Sequence, residues 1–536
     1  MQPGFGAPDP PLNLVMLASY IIKKRAIAKN DVTIISAAFD DPLPILRKDN
    51  YDIVGMSVLT PFVDFARNLA IQIKKEFNTT IIIGGYHISG LPESLAKPYD
   101  MGVLGEGEET LCELLKLYKQ EKTFRPSRLK SVRGIVYFDR KGQQVITPAR
   151  PLINLKQFPK TLWDLIPEER IVRYNTLLIE NQPKTVVMSS VYTARGCPYR
   201  CVFCAHQVLW GNQTGLRFYE TRKVGEEISY LVRRHHVNCI QILDDTFAIS
   251  KSRLKELIQV LKKRGLLGGV KFFNVFIRAN LIDEEFVTLL KEFGAATVFI
   301  GMESGHQDTL NYLKRGSLKI TDIKRAVKLF NKVKIHISGS FILFSPDETK
   351  KTVRGTLSLA RWFISNPYAY TLSFHVAIPF PGTVMWDDAV RRGVIDMQAI
   401  DWSQFMLFDM RNYERRMHIF FHPSLTKKQI DHIFHESDAI LNTLHDRFRK
   451  REDWIAVNKQ TNLLSRLFII QLSFSRRIEH VLKNPFYILS KIIHHPDTIV
   501  FSFRNLFDGL YIFTNLKQQH VDSHAIENTR LSKEVS

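Results

Sequence analysis

Cysteine, long apolar runs and acidic side chains are all in short supply in this chain of 536 residues. Five cysteines are too few for the disulfide framework of a secreted scaffold, and free thiols fit a reducing compartment. No uninterrupted apolar run is long enough to span a bilayer, and no N-terminal stretch has the charged start and apolar core of a signal peptide. The expectation is a cytoplasmic protein, soluble or peripheral on the cytoplasmic membrane. Acidic residues number 53 against 74 Lys and Arg, a formal net charge of +21. That excess points to an anionic partner: nucleic acid, an acidic substrate or an anionic membrane surface. The length exceeds what one hydrophobic core organises, so two or three domains are expected.

What cysteine there is lies in one place. Cys197, Cys201 and Cys204 fall in the run Ala194-Arg195-Gly196-Cys197-Pro198-Tyr199-Arg200-Cys201-Val202-Phe203-Cys204, and thiols that close together point to a metal centre. A structural zinc site shows paired Cys-x2-Cys knuckles and four protein ligands; here the spacing is three then two, with no second knuckle. Three thiolates on a four-iron cluster leave one iron open to an exogenous ligand. The competing reading is zinc, with His206 as fourth ligand. Cys112 and Cys239 lie in apolar company and read as buried, inert thiols.

Two α/β regions are legible. In the first, β-branched runs at 32–36, 53–58, 81–83 and 101–104 alternate with helical patterns such as 65–76, a parallel sheet with ligands at its strand ends. Gly84 and Gly85 follow one strand, and Gly105 and Gly107 another, where glycine lets backbone approach a bulky ligand. Residues 126–184 read as a connector with a hairpin over 134–146. Six strands are then expected at 185–194, 239–245, 271–278, 297–304, 334–344 and 371–379, with helices between them at 223–235, 252–264, 283–293, 322–332 and 349–364. Six βα units are too few to close an eight-stranded barrel.

The cysteine spacing, with an aromatic residue before the last cysteine, resembles the radical S-adenosylmethionine (radical SAM) superfamily. Its fold is an open (β/α)6 partial barrel with the cysteine loop after the first strand. The segments Pro10-Pro11-Leu12-Asn13-Leu14, Asp52-Ile53-Val54-Gly55-Met56-Ser57, Gly84-Gly85-Tyr86-His87 and Gly105-Glu106-Gly107-Glu108 resemble the Rossmann-like cobalamin-binding domain that precedes the barrel in one subgroup. The resemblance implies an α/β protein with domains at 1–125 (cobalamin-binding), 126–184 (connector), 185–395 (partial barrel) and 396–536 (basic helical region). It implies a 4Fe–4S cluster on Cys197, Cys201 and Cys204, S-adenosylmethionine chelated to the open iron, and a 5′-deoxyadenosyl radical formed by its cleavage. Phe203, Asp244, Asp245, Arg278, Glu303 and Gly339 would line the S-adenosylmethionine site: the aspartates at its amino group, Arg278 at its carboxylate, Glu303 at its ribose. Ser57, Thr60, Gly84, Gly85 and Gly105 would face cobalamin. The Asp-x-His-x-x-Gly motif that supplies an axial histidine is absent, and His87 reads as a local hydrogen-bonding residue. The family's opening strand is expected before Pro10, where the chain has only Met1-Gln2-Pro3-Gly4-Phe5-Gly6. The family's fifth-strand motif has glycine where this chain has Phe344 and Asp347.

The activity so implied is methylation of an unactivated carbon of an apolar or lipid-like substrate, with a flavodoxin or ferredoxin as electron donor. The alternative is an anaerobic oxidative cyclase of a tetrapyrrole or lipid pathway. The methylthiotransferase branch needs three further cysteines in the N-terminal domain, and residues 1–125 hold only Cys112. A nucleic-acid-binding module is the non-enzymatic rival, and it leaves the cysteine loop unexplained. Residues 447–492 carry ten Lys or Arg against three Asp or Glu, interleaved with large apolar residues. They read either as an anionic-membrane contact or as a helical cap with a solvated basic face.

Overall fold

Apolar β-branched runs pair in parallel at the start of the chain, as their alternation with helices requires. The computed structural model describes residues 10–37, 39–211, 215–247, 249–405, 418–421, 425–453 and 455–464. The first sheet has the order β1 (Ile53–Ser57), β2 (Thr80–Gly84), β3 (Met101–Val103), β4 (Ile135–Phe138), β5 (Gln144–Ile146). β1 to β3 are parallel, in a register that sets Ser57 opposite Gly84. The helices Val63–Glu76 and Glu108–Glu121 bury Ala66, Ala70 and Ile73 on one side and Leu114 and Leu117 on the other.

Two expectations fail here. Residues 32–36 form no strand: Ile35 packs on the core without a ladder partner, and β propensity without a neighbouring edge does not make a strand. The hairpin assigned to the connector is β4 and β5, which extend the N-terminal sheet antiparallel from β3, so this domain runs past residue 125 to the end of the hairpin.

The second sheet system starts with an unforeseen strand. β6 (Arg173–Ile179) lies antiparallel on the edge of β7 (Gln182–Val191). The two-residue β8 (Ala194–Arg195) and β9 (Arg217–Phe218) pair beside the cysteine loop. β7 is followed by parallel β10 (Cys239–Ile242) and β11 (Lys271–Phe273). β12 (Val275–Ile277), β13 (Thr297–Glu303), β14 (His336–Leu343) and β15 (Ala369–Val376) complete the parallel set. β11 and β12 are the single expected third strand, interrupted at Asn274, which takes φ +49°. The Asn274 amide donates to Thr297 Oγ1 at 2.7 Å, and its side-chain oxygen lies 3.3 Å from Ser338 Oγ. Six parallel strands thus form an open barrel with helices on one face.

Phe344 and Asp347, after β14, take φ +59° and +63°, the left-handed conformation glycine would adopt at no steric cost. Side chains hold them there: Phe344 packs edge-on against Phe434, 5.4 Å between centroids, and Arg392 grips Asp347 with two bonds of 2.9 and 2.8 Å. Phe434 belongs to the helix Lys427–Arg449, which caps its N-terminus with Thr426. Two basic residues assigned to a membrane-facing surface are instead tied to the barrel. Arg447 donates to the carbonyls of Asn366 and Ile364, and Arg451 to that of Asn181. The part of that assignment from residue 465 on lies outside the described residues. Among the described residues no helix is long and apolar enough to cross a membrane.

Glu348 follows this strained turn, 1% exposed. One carboxylate oxygen accepts the Ser345 amide at 2.9 Å and the other has no partner. Burial raises its pKa to about 7. The folded state therefore holds a proton that the unfolded chain releases at lower pH, and stability contributed below the ordinary carboxylate pKa is lost as pH rises toward 7. Glu348→Gln is expected to raise Tm at pH 8 and to leave it nearly unchanged at pH 4, measured by thermal scans at both values.

Candidate functional site

The cysteine loop leaves the barrel after β8 and is fixed by backbone. Gly196 takes φ +86°, and a Cβ there would lie 2.1 Å from the Gly215 carbonyl oxygen, so only glycine fits. The Val202 amide donates to Leu313 O at 3.0 Å and its carbonyl accepts from the Met385 amide at 2.9 Å. Gln207 Nε2 reaches Cys201 O at 2.8 Å. Cys201 is buried, and Cys197 and Cys204 are partly so. Burial, then the charge of Cys201, pushes the Cys204 thiol up to about 12, and burial also raises Cys197. Beyond burial, the charge of Cys201 raises both neighbouring thiols, so a bound cation is what would let all three ionise. Among the described residues, no three His, Cys, Asp or Glu side chains converge to hold one metal ion, and His206 turns its Nδ1 to Asp245 and to the Tyr86 hydroxyl.

Cations surround the loop. Arg278 Nη1 stands 3.5 Å from Cys201 Sγ, its guanidinium lies 3.9 Å from the Tyr199 ring centroid, and Nη2 donates to Ser317 at 2.5 Å. Its Nε has no partner, and among the described residues no carboxylate pairs with it. Lys314 bonds Glu303 at 2.7 Å in a buried ion pair and lies 5.3 Å from the centroid of Phe203. Glu303, at φ +56°, ends β13 as expected. Asp244 and Asp245 follow β10 and differ. Asp244 accepts from the Thr193 and Ala194 amides at 2.6 and 3.0 Å and from the Thr193 hydroxyl. It therefore braces the entry to the loop rather than facing a ligand. Asp245 accepts from Gly196 N at 2.8 Å. Gly339 also departs from expectation, because a Cβ there would meet Met302 and Phe363 at 3.1 and 3.3 Å. Strand alternation turns it toward the helix layer, and its small size serves packing.

The strand ends of the N-terminal sheet meet this loop. The short helix Tyr86–Gly90 packs on residues Ala205–Leu209, and Leu91 joins the apolar cluster of Val202, Met385 and Trp386. Ser57 is exposed at the end of β1. Gly85 takes φ +99°, where a Cβ would strike Val58. Gly105 takes φ +72°, where a Cβ would come 3.3 Å from Leu209 O. Thr60 does not present its hydroxyl outward: it is buried and shares a hydrogen bond with His87 Nδ1 at 3.3 Å, while Nε2 of the same ring faces Ser94 Oγ at 3.3 Å. Burial holds His87 neutral, with a pKa of about 4, and the Trp402 ring stands nearly perpendicular to it, 4.6 Å between centroids.

Residues 191–360 match the radical SAM superfamily model and residues 6–115 the B12 binding domain model. An uncharacterised methyltransferase of Pyrococcus horikoshii is 31% identical over 410 residues, covering 75% of this chain and 83% of that protein. The chain belongs to the radical SAM enzymes that carry a B12-binding domain. An anaerobic magnesium-protoporphyrin IX monomethyl ester cyclase of Rubrivivax gelatinosus is 29% identical over 69% of this chain and 65% of its own length. The fold is also that of the radical S-adenosylmethionine methyltransferase TsrM from Kitasatospora setae, solved with cobalamin and a 4Fe–4S cluster bound. The TM-score is 0.58 at 21% identity, covering 72% of this chain and 76% of that one.

The cofactors of this radical SAM enzyme are a 4Fe–4S cluster, S-adenosylmethionine and cobalamin. The residues present fit them. Three thiols on one loop stand beside two buried cations, one of which has a buried, unpartnered Nε, and a cluster with a bound carboxylate would supply the missing negative charge. Charged residues beside the loop that sequence reasoning missed are Arg195, Glu106, Glu108, Arg217 and Lys314. The glutamates lie within Gly105-Glu106-Gly107-Glu108, and Arg195 stands two residues before Cys197. Asp244→Ala is expected to lower stability by about 3 kcal/mol or more, because it strands buried donors of Thr193 and Ala194 at roughly 1–3 kcal/mol each. Asp244→Asn keeps one acceptor and is expected to lose less, with urea denaturation as the measure.

Proposed function

We propose that the enzyme methylates an unactivated carbon of an apolar substrate held between the B12-binding strand ends and the barrel mouth. The observation that carries this reading is the seating of Tyr86–Gly90 on Ala205–Leu209, which sets the ends of β1 to β3 against the cysteine loop. When bound, the cluster supplies the electron that cleaves S-adenosylmethionine and the corrinoid supplies the methyl group. Cys197, Cys201 and Cys204 hold the cluster. Arg278, with its unpartnered Nε, would meet the carboxylate of S-adenosylmethionine. Glu303, with Lys314 on one oxygen, keeps the other for the ribose, while Phe203 and Asp245 border the same space. Ser57, Gly84 and Gly105 border the corrinoid. His87, whose ring nitrogens both face internal hydroxyls, would not be among the residues that hold the corrinoid. A flavodoxin or ferredoxin is the electron donor, since the cleavage needs a low-potential electron. The basic, apolar-rich stretch 447–492 supports collection of a lipid-like substrate at an anionic membrane, although Arg447 and Arg451 take no part.

Alanine at any one of Cys197, Cys201 or Cys204 is expected to abolish 5′-deoxyadenosine formation after anaerobic reconstitution. Stoichiometric zinc without iron in the wild type would refute the assignment. Cobalamin content, read from the visible spectrum of extracted cofactor, is expected to survive His87→Ala; loss of corrinoid in that variant would return the histidine to the cobalt. Metabolite comparison between producing and deleted cells separates the outcomes: a product one methylene heavier supports methyl transfer, and a product with a new ring and no added carbon supports the cyclase reading that the Rubrivivax relative suggests.

A further inference from the structure

The Gly105-Glu106-Gly107-Glu108 turn does more than offer glycines to a cofactor. Its two carboxylates reach across to the barrel and are buried there. Glu106 accepts from Arg195 at 3.0 Å, from two nitrogens of Arg217 at 2.9 Å each, and from the Ile153 amide at 3.0 Å. Glu108 accepts from Arg195 at 2.6 Å. The four side chains are 6% to 20% exposed, so salt screens these pairs little. The Arg195 guanidinium is boxed by the rings of Phe158 and Tyr219 at 5.1 and 5.9 Å, and that of Arg217 lies 5.3 Å from the Trp210 ring centroid. Arg195 and Arg217 are partners in the β8–β9 pair, and Gly196 and Cys197 follow Arg195 directly. Covalent chain therefore joins both ends of one ion-pair network, Gly105 on the B12 side and Cys197 on the cluster side.

We propose that Glu106, Glu108 and Arg195 form a strut that couples occupancy of the corrinoid site to the order of the cysteine loop. A ligand that immobilises the turn after Gly105 immobilises the carboxylates, and with them the guanidinium two residues before the first cysteine. By linkage, a cluster that fixes the loop tightens corrinoid binding by the same factor. The strut residues are positioning residues: none needs to touch a cofactor. The proposal rests on the cofactor set described above.

The test uses the full chain under anaerobic conditions. The dissociation constant of hydroxocobalamin is measured by spectral titration for cluster-free and cluster-reconstituted protein, in the wild type and in Glu108→Gln. Wild type is expected to bind roughly tenfold more tightly with the cluster in place, and Glu108→Gln to reduce that ratio, Glu106 keeping its own bond to Arg195, while iron content stays unchanged. A role confined to domain stability would lower the melting temperature of the variant and leave the ratio intact, which overturns the proposal. Hydrogen exchange on cluster-free wild type is independent of any variant's folding. Peptides spanning residues 194–207 are expected to gain protection on addition of hydroxocobalamin, and bound corrinoid without that protection overturns the strut. Absence of corrinoid binding altogether would instead fail the cofactor assignment, so the two failures are distinguishable.

Discussion

Where Gly90 meets Pro381 and Gly382, no side chain separates two backbones: a Cβ on Gly90 would sit 2.3 Å from Pro381 O, and one on Gly382 would sit 2.8 Å from Gly90 Cα. This close approach sets how near the strand ends of the first sheet come to the mouth of the barrel. Leu91, one residue on, enters the apolar cluster around Val202. Trp402 packs on both the N-terminal core and that cluster and stacks 6.2 Å from Trp386. The cysteine loop is thus held by an apolar seam on one side and by the buried charges of Arg195 and Glu106 on the other.

Charge has a second meaning once the loop is in view. The sequence carries a net +21, and composition alone directs that excess outward to an anionic partner. Arg278 shows that part of it faces inward, whereas Lys314 and Arg195 are offset by Glu303 and by Glu106 and Glu108. Glu106 illustrates the cost and its remedy. Burial alone would raise its pKa, but the bonds from Arg217 and the charges of Arg195 and Arg217 hold it below the usual carboxylate range. Buried ions persist where each has a partner in good geometry, and Arg278, lacking a carboxylate among the described residues, is the exception that a bound anion would satisfy.

Much of the fold was legible because its signals are local. β-branched runs marked all six parallel barrel strands, and Asp283 and Thr349 were readable as helix starts; both cap their helices in the structure. The three cysteines were legible as a set for the same reason, being close in sequence. Illegible features depend on distant partners. Residues 32–36 have strand composition and no neighbour to pair with, whereas β4 and β5 became part of the first sheet only because β3 offered an edge. Asp244 looked like a ligand residue by position, but its direction depends on the amides of Thr193 and Ala194, some fifty residues earlier. Gly339 has the position of a site residue in the sequence, but the direction of the pleat, which turns it toward Met302 and Phe363, depends on neighbouring elements.

Phe344 and Asp347 carry a consequence for how the C-terminal region is regarded. Left-handed backbone at a residue with a Cβ costs on the order of 1–2 kcal/mol, and here the compensation comes partly from Phe434, on a helix more than eighty positions further along the chain. That helix lies against β15 and the helix Lys350–Ile364, beside the turn that shapes one side of the barrel mouth. It is a buttress for that turn. A shortened protein ending before Lys427 would leave Phe344 with a strained backbone and one face of its ring uncovered, so trimming the molecule to its two family domains would alter the active-site rim rather than remove an appendage.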